Sequence, residues 1–270
     1  MASRSRILRQ YCVLMAVALL DSAGAAQAGA WAQRKGATQV IATSQFSDST
    51  RAFDLNGRLV PVVAWRKFEL GVHIEYGLSP TVTLLASPVL EDVSIKGFAP
   101  GAYRGLESLE VGARIEMARL GEVVFAAQAL GKIPGATNRS NTALAGATAC
   151  EAEARLLAGY SFTLWDRPAF ADGEIAWRAR NGGNPGEARL ELTIGVHLTE
   201  QAQLLMQSFN AATTGRGSPS YPDERWSKLQ PSLVYEIARG LSLQAGAFIT
   251  LAAVNARREQ GALLAVWKTF

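Results

Sequence analysis

The sequence predicts an all-β fold: a closed antiparallel transmembrane β-barrel of about twelve strands, after a cleaved N-terminal signal peptide. Three observations predict it. Apolar and polar residues alternate with period two over long stretches of the chain. Short and long connections alternate between those stretches. The last residue, Phe270, is aromatic and no polar tail follows it.

The chain opens with Arg4, Arg6 and Arg9, then an uncharged apolar run at 11–20, YCVLMAVALL, then small residues ending in AQA at 26–28. This is the layout of a secretory signal peptide. The apolar run is too short to cross a bilayer as a helix, which takes about 20 residues. The cut falls after Ala28, with Ala30 as the alternative, so 1–28 is the signal peptide and 29–270 a single outer-membrane barrel domain. Removing 1–28 takes away three arginines and Asp21. The 27 basic and 23 acidic residues become 24 and 22, a net charge of +2. That near-balance shows no concentrated basic face, so no nucleic-acid partner is expected. Cys12 leaves with the signal, and Cys150 alone cannot form a disulfide framework or a metal site.

Successive side chains of a strand face opposite sides. At 189–197, RLELTIGVH, the apolar set is Leu190, Leu192, Ile194 and Val196; Arg189, Glu191, Thr193 and His197 oppose it. The same pattern sits at 67–76, KFELGVHIEY, and at 108–117, SLEVGARIEM, where Arg114 and Glu116 belong to the polar set. It recurs at 151–162, with Glu151, Glu153 and Arg155, and at 172–180, with Asp172, Glu174, Arg178 and Arg180. Twelve strands are expected at 36–47, 61–76, 81–92, 107–118, 122–132, 150–163, 168–179, 187–197, 201–211, 226–237, 241–252 and 259–270. These exceed the usual length of about five or six residues and match a tilted strand crossing a bilayer, about 9–11 residues. Short connections fall at 77–80, 119–121, 164–167, 198–200 and 238–240. Longer ones fall at 48–60, 93–106, 133–149, 180–186, 212–225 and 253–258. Short periplasmic turns alternating with longer outside loops characterise bacterial outer-membrane barrels. The expected location is the bacterial outer membrane, crossed many times.

Phe270 gains a role in this scheme. An open sheet edge has no hydrogen-bond partner in lipid, so the last strand must close the barrel. Phe270 would lie in the periplasmic aromatic belt. The end resembles the C-terminal signal of outer-membrane proteins, with Leu264, Val266 and Phe270 on the pattern and Trp267 sharing the aromatic role. That resemblance implies the barrel-insertion machinery as a partner during biogenesis. Lys268 departs from the pattern and is expected to snorkel to the interface.

GAWAQRKG at the mature start and KFELGVHIEYGLSPTVTLLASP at 67–88 give the chain a further resemblance. It is similar to a porin-like family of outer-membrane barrels associated with phenol meta-pathway degradation. The resemblance implies uptake of a small molecule and assigns no binding residues.

The inner face carries both signs of charge. Arg178, Arg180, Arg189, Glu191, Glu174, Arg155, Glu153, Arg114 and Glu116 are the candidates for a lumen constriction. Two readings are open: a salt-bridged lumen, or a narrow pore in which Arg178, Arg180 and Arg189 attract anions. Leu157, Leu205 and Phe248 also face inward by parity, along with Leu85, Leu130 and Val234. They could line a route for an aromatic or amphipathic solute. The expected function is passive passage of a small solute through an outer-membrane channel. A non-conducting receptor or structural barrel is the alternative. A lipid-modifying barrel enzyme is the third class, and no enzyme is expected: neither GxSxG nor HExxH occurs, and no Ser, Asp or Asn pairs convincingly with His197. No cofactor or metal is implied. Membrane lipid and the solute are the remaining partners, and the pattern leaves the oligomeric state open.

Overall fold

The computed structural model describes residues 29–270 except 98–100, 139, 219 and 220. The predicted signal peptide, 1–28, lies outside the described residues. The described chain forms twelve strands in one closed antiparallel barrel. They are β1 (Thr38–Phe53), β2 (Leu59–Gly77), β3 (Val82–Ile95), β4 (Ala102–Leu120), β5 (Val123–Pro134) and β6 (Glu151–Leu164), followed by β7 (Arg167–Arg180), β8 (Gly186–His197), β9 (Ala202–Thr214), β10 (Arg225–Ala238), β11 (Leu241–Val254) and β12 (Gln260–Thr269). Each strand pairs with its chain neighbour, and β12 returns to β1 in unbroken register from Gln39–Thr269 to Asp48–Gln260. The Phe270 amide donates to the Thr38 carbonyl at 2.8 Å, which carries the seam to the last residue. Closure satisfies the edge groups that lipid cannot.

Period-two patterning sorts the side chains. Leu70, Leu90, Ile115, Leu156, Ile175, Leu192, Ile194, Leu233 and Leu251 are exposed on the outside. A soluble protein does not carry an apolar band of that extent; a bilayer covers it. Thr83, Arg114, Glu153, Asp172, Arg178, Gln203 and Gln244 are buried inside.

Two expected loops are shorter than the sequence reading gave. The 48–60 connection shrinks to 54–58, because β1 runs on to Phe53 and β2 begins at Leu59. Asp54 makes the tight turn: its Oδ1 accepts from the Asn56 and Arg58 amides, each at 2.8 Å. The stretch at 48–50, DST, is polar enough to read as a loop. A ladder projecting above the membrane can have water on both faces and need not alternate. The same holds for β4, which starts at Ala102 and reaches 19 residues. Among the periplasmic turns, Trp165 and Asp166 take φ values of 52° and 58°. These signs at both central positions define a two-residue hairpin turn of the kind that matches strand twist.

Trp267 requires a correction. It does not share the outer aromatic belt. Leu264, Val266 and Phe270 lie on the outer face, with Leu264 66% exposed, whereas Trp267 is buried in the lumen. Alternation forces this, because an odd-numbered residue of β12 faces opposite to its even-numbered neighbours. Lys268 stands on the outer side with its ammonium 5.5 Å from the Phe270 ring centroid.

Candidate functional site in the barrel lumen

The lumen has two unlike walls. Strands β4 to β8 build the charged one, because their inward positions alternate acids and bases and the register sets them opposite each other. Glu151 faces Arg180 and Glu153 faces Arg178 across β6 and β7. Arg178 contacts Glu151 and Glu153, each at 2.8 Å, and reaches Glu110 at 3.2 Å. Arg180 bridges Glu151 at 3.0 Å and Glu187 at 2.8 Å, and its guanidinium lies 4.8 Å from the Tyr221 ring centroid. Arg155 pairs with Glu153, with Glu174 at 2.6 Å and with Glu191 at 3.1 Å. Arg189 sits more loosely, 3.5–3.6 Å from Glu153, Glu187 and Glu191.

The structure thus joins Glu153, Arg155, Glu174, Arg178, Arg180, Arg189 and Glu191 into one network. Arg114 and Glu116 lie apart from it. Arg114 pairs with Glu75 at 2.9 Å, and Glu116 holds Arg119 at 3.0 Å. Acids meet Arg178, Arg180 and Arg189 on several sides. The geometry is that of a cross-linked wall rather than a free cationic patch.

The other wall, formed by β1 and β8 to β12 with Phe170 of β7, is lined by amides and apolar groups. Ile41, Thr43, Gln45, Phe170, Thr193, Gln203, Leu205, Gln207, Gln230, Gln244, Leu263 and Trp267 enclose a cavity of about 180 Å³. Trp267 Nε1 donates to Gln244 Oε1 at 2.9 Å, and Gln230 Nε2 donates to Gln207 Oε1 at 3.0 Å. A larger chamber of about 390 Å³ lies toward the long-loop end. Its lining includes Trp65, Lys67, Glu91, Lys132, Arg178 and Arg189, together with Ala143, Ala145, Gly146 and Ala147 from the β5–β6 loop. A carboxylate oxygen of Glu91 there has no hydrogen-bond partner among the described residues. The loop turns inward: Leu144 is buried, and the Ala149 amide donates at 2.7 Å to the hydroxyl of Tyr221, itself buried in the β9–β10 loop.

A plug enters the lumen. Residues 29–33 run inside the barrel, with Ala30 fully buried and Trp31 7% exposed, whereas Arg34, Lys35 and Gly36 are exposed. A buried segment outside any ladder must find partners for its N–H groups. Lumen side chains supply them. The Ala30 amide donates to Asp172 Oδ2 at 2.9 Å, the Ala32 amide to Glu116 at 3.4 Å, and the Gln33 amide to Thr83 Oγ1 at 2.9 Å. Gln33 Nε2 also donates to Glu75 at 2.8 Å. Trp31 belongs to one buried cluster with Val124, Ala126, Leu157, Phe170, Leu205, Val234, Ala265 and Trp267. Of the apolar lumen candidates, Leu157 and Leu205 belong to this cluster; Phe248 is buried inside as well, beside Gly261. The first two share a cluster with Trp31, and Leu205 also lines the smaller cavity.

The sequence reading missed the plug, since residues 29–33 carry no periodicity pointing to a lumen. It also missed a contact of His73, whose Nδ1 is 2.8 Å from Ser87 Oγ and Nε2 3.2 Å from Glu75 Oε1. Ser87 lies directly across the β2–β3 ladder from His73. Glu75 is already shared by Arg114 and Gln33, so the contacts hold one carboxylate in place against the plug.

Comparison with known proteins accords with this architecture. No family model matches the chain, and no curated protein matches its sequence. Among solved structures, the chain is similar to the COG4313 outer membrane channel from Pseudomonas putida F1, with a TM-score of 0.71 and 17% identity over 92% of this chain and all of that one. It is also similar to the NanC porin and to the KdgM porin in complex with disordered oligogalacturonate. Both have TM-scores of 0.50 at 8% identity; they cover 83% and 86% of this chain and 98% and 99% of their own. At these identities the likeness establishes the fold, which is that of outer-membrane β-barrels.

Proposed function

We propose that the protein is an outer-membrane channel for passive passage of a small aromatic or amphipathic solute. The observation that carries this reading is the space inside the barrel: a 390 Å³ chamber under the outside loops and a 180 Å³ amide-lined cavity. Phe170, Leu205, Leu263 and Trp267 interleaved with glutamines suit a ring that bears a hydroxyl or amide. Sites for small organic molecules are built in this way. The channel and porin descriptions of the similar barrels support passage as the role. The resemblance to the phenol meta-pathway family supports an aromatic solute. The plug makes the path narrow, so transit requires residues 29–33 to shift. No chemical step is proposed.

The test is single-channel conductance of the refolded mature protein in planar bilayers, together with uptake of a monohydric phenol and of a disaccharide into proteoliposomes. Steady conductance with faster phenol uptake is expected. A heat-modifiable, folded barrel that conducts nothing and admits neither solute would overturn the channel. Lipid hydrolysis by the folded protein would replace it with an enzyme.

A further inference from the structure

We propose that the signal peptide is removed after Ala28, and that the α-ammonium thereby created on Gly29 seats on the buried Asp172 carboxylate and locks the plug in the lumen. Asp172 is 7% exposed and lies well inside β7. Its neighbours on the inward face are acidic. Glu174 is next but one in the same strand and is taken by Arg155 at 2.6 Å. Among the described residues, no side-chain cation lies within ion-pair distance of Asp172; it accepts from the Ala30 amide at 2.9 Å and otherwise meets only the Glu174 carboxyl. Two adjoining buried carboxyls that share one backbone donor are costly to ionise, and a cation in contact removes that cost.

The chain brings such a group to the spot. Gly29 lies against this carboxylate so closely that a β-carbon there would collide with it, and its φ of +102° is one that glycine tolerates. The Gly29 nitrogen is bonded to the same α-carbon that faces this carboxylate. In the uncleaved chain this nitrogen is a neutral amide bonded to Ala28. Signal peptidase adds water across the Ala28–Gly29 bond; Ala28 departs with the carboxylate, and Gly29 keeps the nitrogen, which is protonated as an ammonium. Ala26 and Ala28 supply the small residues such a cut requires. A cut after Ala30 would delete both the Gly29 contact and the Ala30 hydrogen bond. The processing event therefore produces the ligand that the lumen is built to receive.

The experiment uses the mature protein purified from outer membranes. Intact-mass measurement identifies its first residue, and an amine-acylating reagent probes that residue in the folded barrel and after unfolding. The expected results are a chain starting at Gly29 and α-amine acylation at least about tenfold slower in the folded barrel, the protection a local opening equilibrium confers. Asp172→Asn should raise the folded-state rate and Asp172→Glu should keep it low. A chain starting at Trp31 overturns the proposal. So does a Gly29 amine that labels as fast folded as unfolded, a comparison made on the wild-type protein whether or not the variants fold.

Discussion

Trp31 stands edge-on to Phe170, with ring centroids 5.8 Å apart and planes at 89°. This contact joins the N-terminal segment to the wall of β7. Edge-to-face pairs contribute about 0.5–1.5 kcal/mol beyond the area they bury. On its other side the ring occupies the gap left by Gly159, where a β-carbon would lie 2.6 Å from a ring atom. The plug is therefore held by a shaped berth as well as by hydrogen bonds.

Trp31→Ala empties that berth. The docking of residues 29–33 should weaken by about 3–5 kcal/mol, the usual cost of truncating a buried tryptophan. Steady conductance should rise severalfold, and the amides of 30–33 should exchange faster while the barrel stays heat-modifiable. Unchanged conductance and exchange would show that the plug is held without the ring.

Gly159→Val places a branched side chain where the Trp31 ring now rests. The barrel strand tolerates valine well, so the effect should fall on the plug alone. Acrylamide should quench more of the tryptophan fluorescence than in wild type, and conductance should rise as in Trp31→Ala. A wild-type quenching curve would count against this packing.

Glu153 is the hub of the charged wall, contacting Arg155, Arg178 and Arg189 with its side chain 2% exposed. Glu153→Gln leaves buried guanidiniums short of a counter-charge. Removing one partner of a buried pair costs about 3–5 kcal/mol. The midpoint of urea unfolding should fall, and the reversal potential in a salt gradient should move toward anion selectivity. Loss of stability without a selectivity change would place the network away from the conducting path.

Glu224 lies in the β9–β10 loop, outside the spanning strands. Burial pushes its carboxyl up to about 7, and Glu187 and Glu259 add to the effect. The folded loop therefore binds a proton more tightly than the unfolded one, whose carboxyl titrates near 4.5. The resulting stabilisation is fully present below that value and is lost as pH rises toward 7. Hydrogen exchange in 213–218 should quicken between pH 5 and pH 8, beyond the intrinsic rate, in wild type and much less in Glu224→Gln. Equal pH dependence in the two proteins would remove Glu224 as the cause.

Phe270 and Trp267 should separate cleanly. Phe270→Ala removes the outer ring at the closing seam and should lower the heat-modifiable fraction recovered from outer membranes. Trp267→Phe keeps the β12 outer face intact, so assembly should be normal, but it deletes the 2.9 Å bond to Gln244. A strong assembly defect in Trp267→Phe would return that residue to the insertion signal.

Most of the fold was legible because a strand's side chains have a period of two, and every membrane-facing position must be apolar. Leu190, Leu192 and Ile194 marked β8 without any tertiary information, as Ile115 and Met117 marked β4. The pattern blurs where the ladder leaves the membrane. There a polar run such as DST at 48–50 was read as loop although it belongs to β1. Inward parity placed Arg155, Arg178, Arg180 and Arg189 in the lumen, but parity does not name a partner. That Arg178 meets Glu110 depends on how β4 and β7 curve toward each other around the barrel.

The sequence by itself determined which residues face lipid, that about twelve strands cross with ten or fourteen left open, which ends carry the long loops, and that the last strand must close on the first. Each follows from periodicity and from the demand that no backbone group go unpaired in hydrocarbon. The tertiary structure alone decided what fills the interior. The Ala30 amide and Asp172 are 142 residues apart. Their contact exists because closing the barrel creates one shared interior volume, and the first residues after the predicted cleavage point are near enough to its mouth to enter it. Local pattern encodes the side of a wall; only closure determines what that wall encloses.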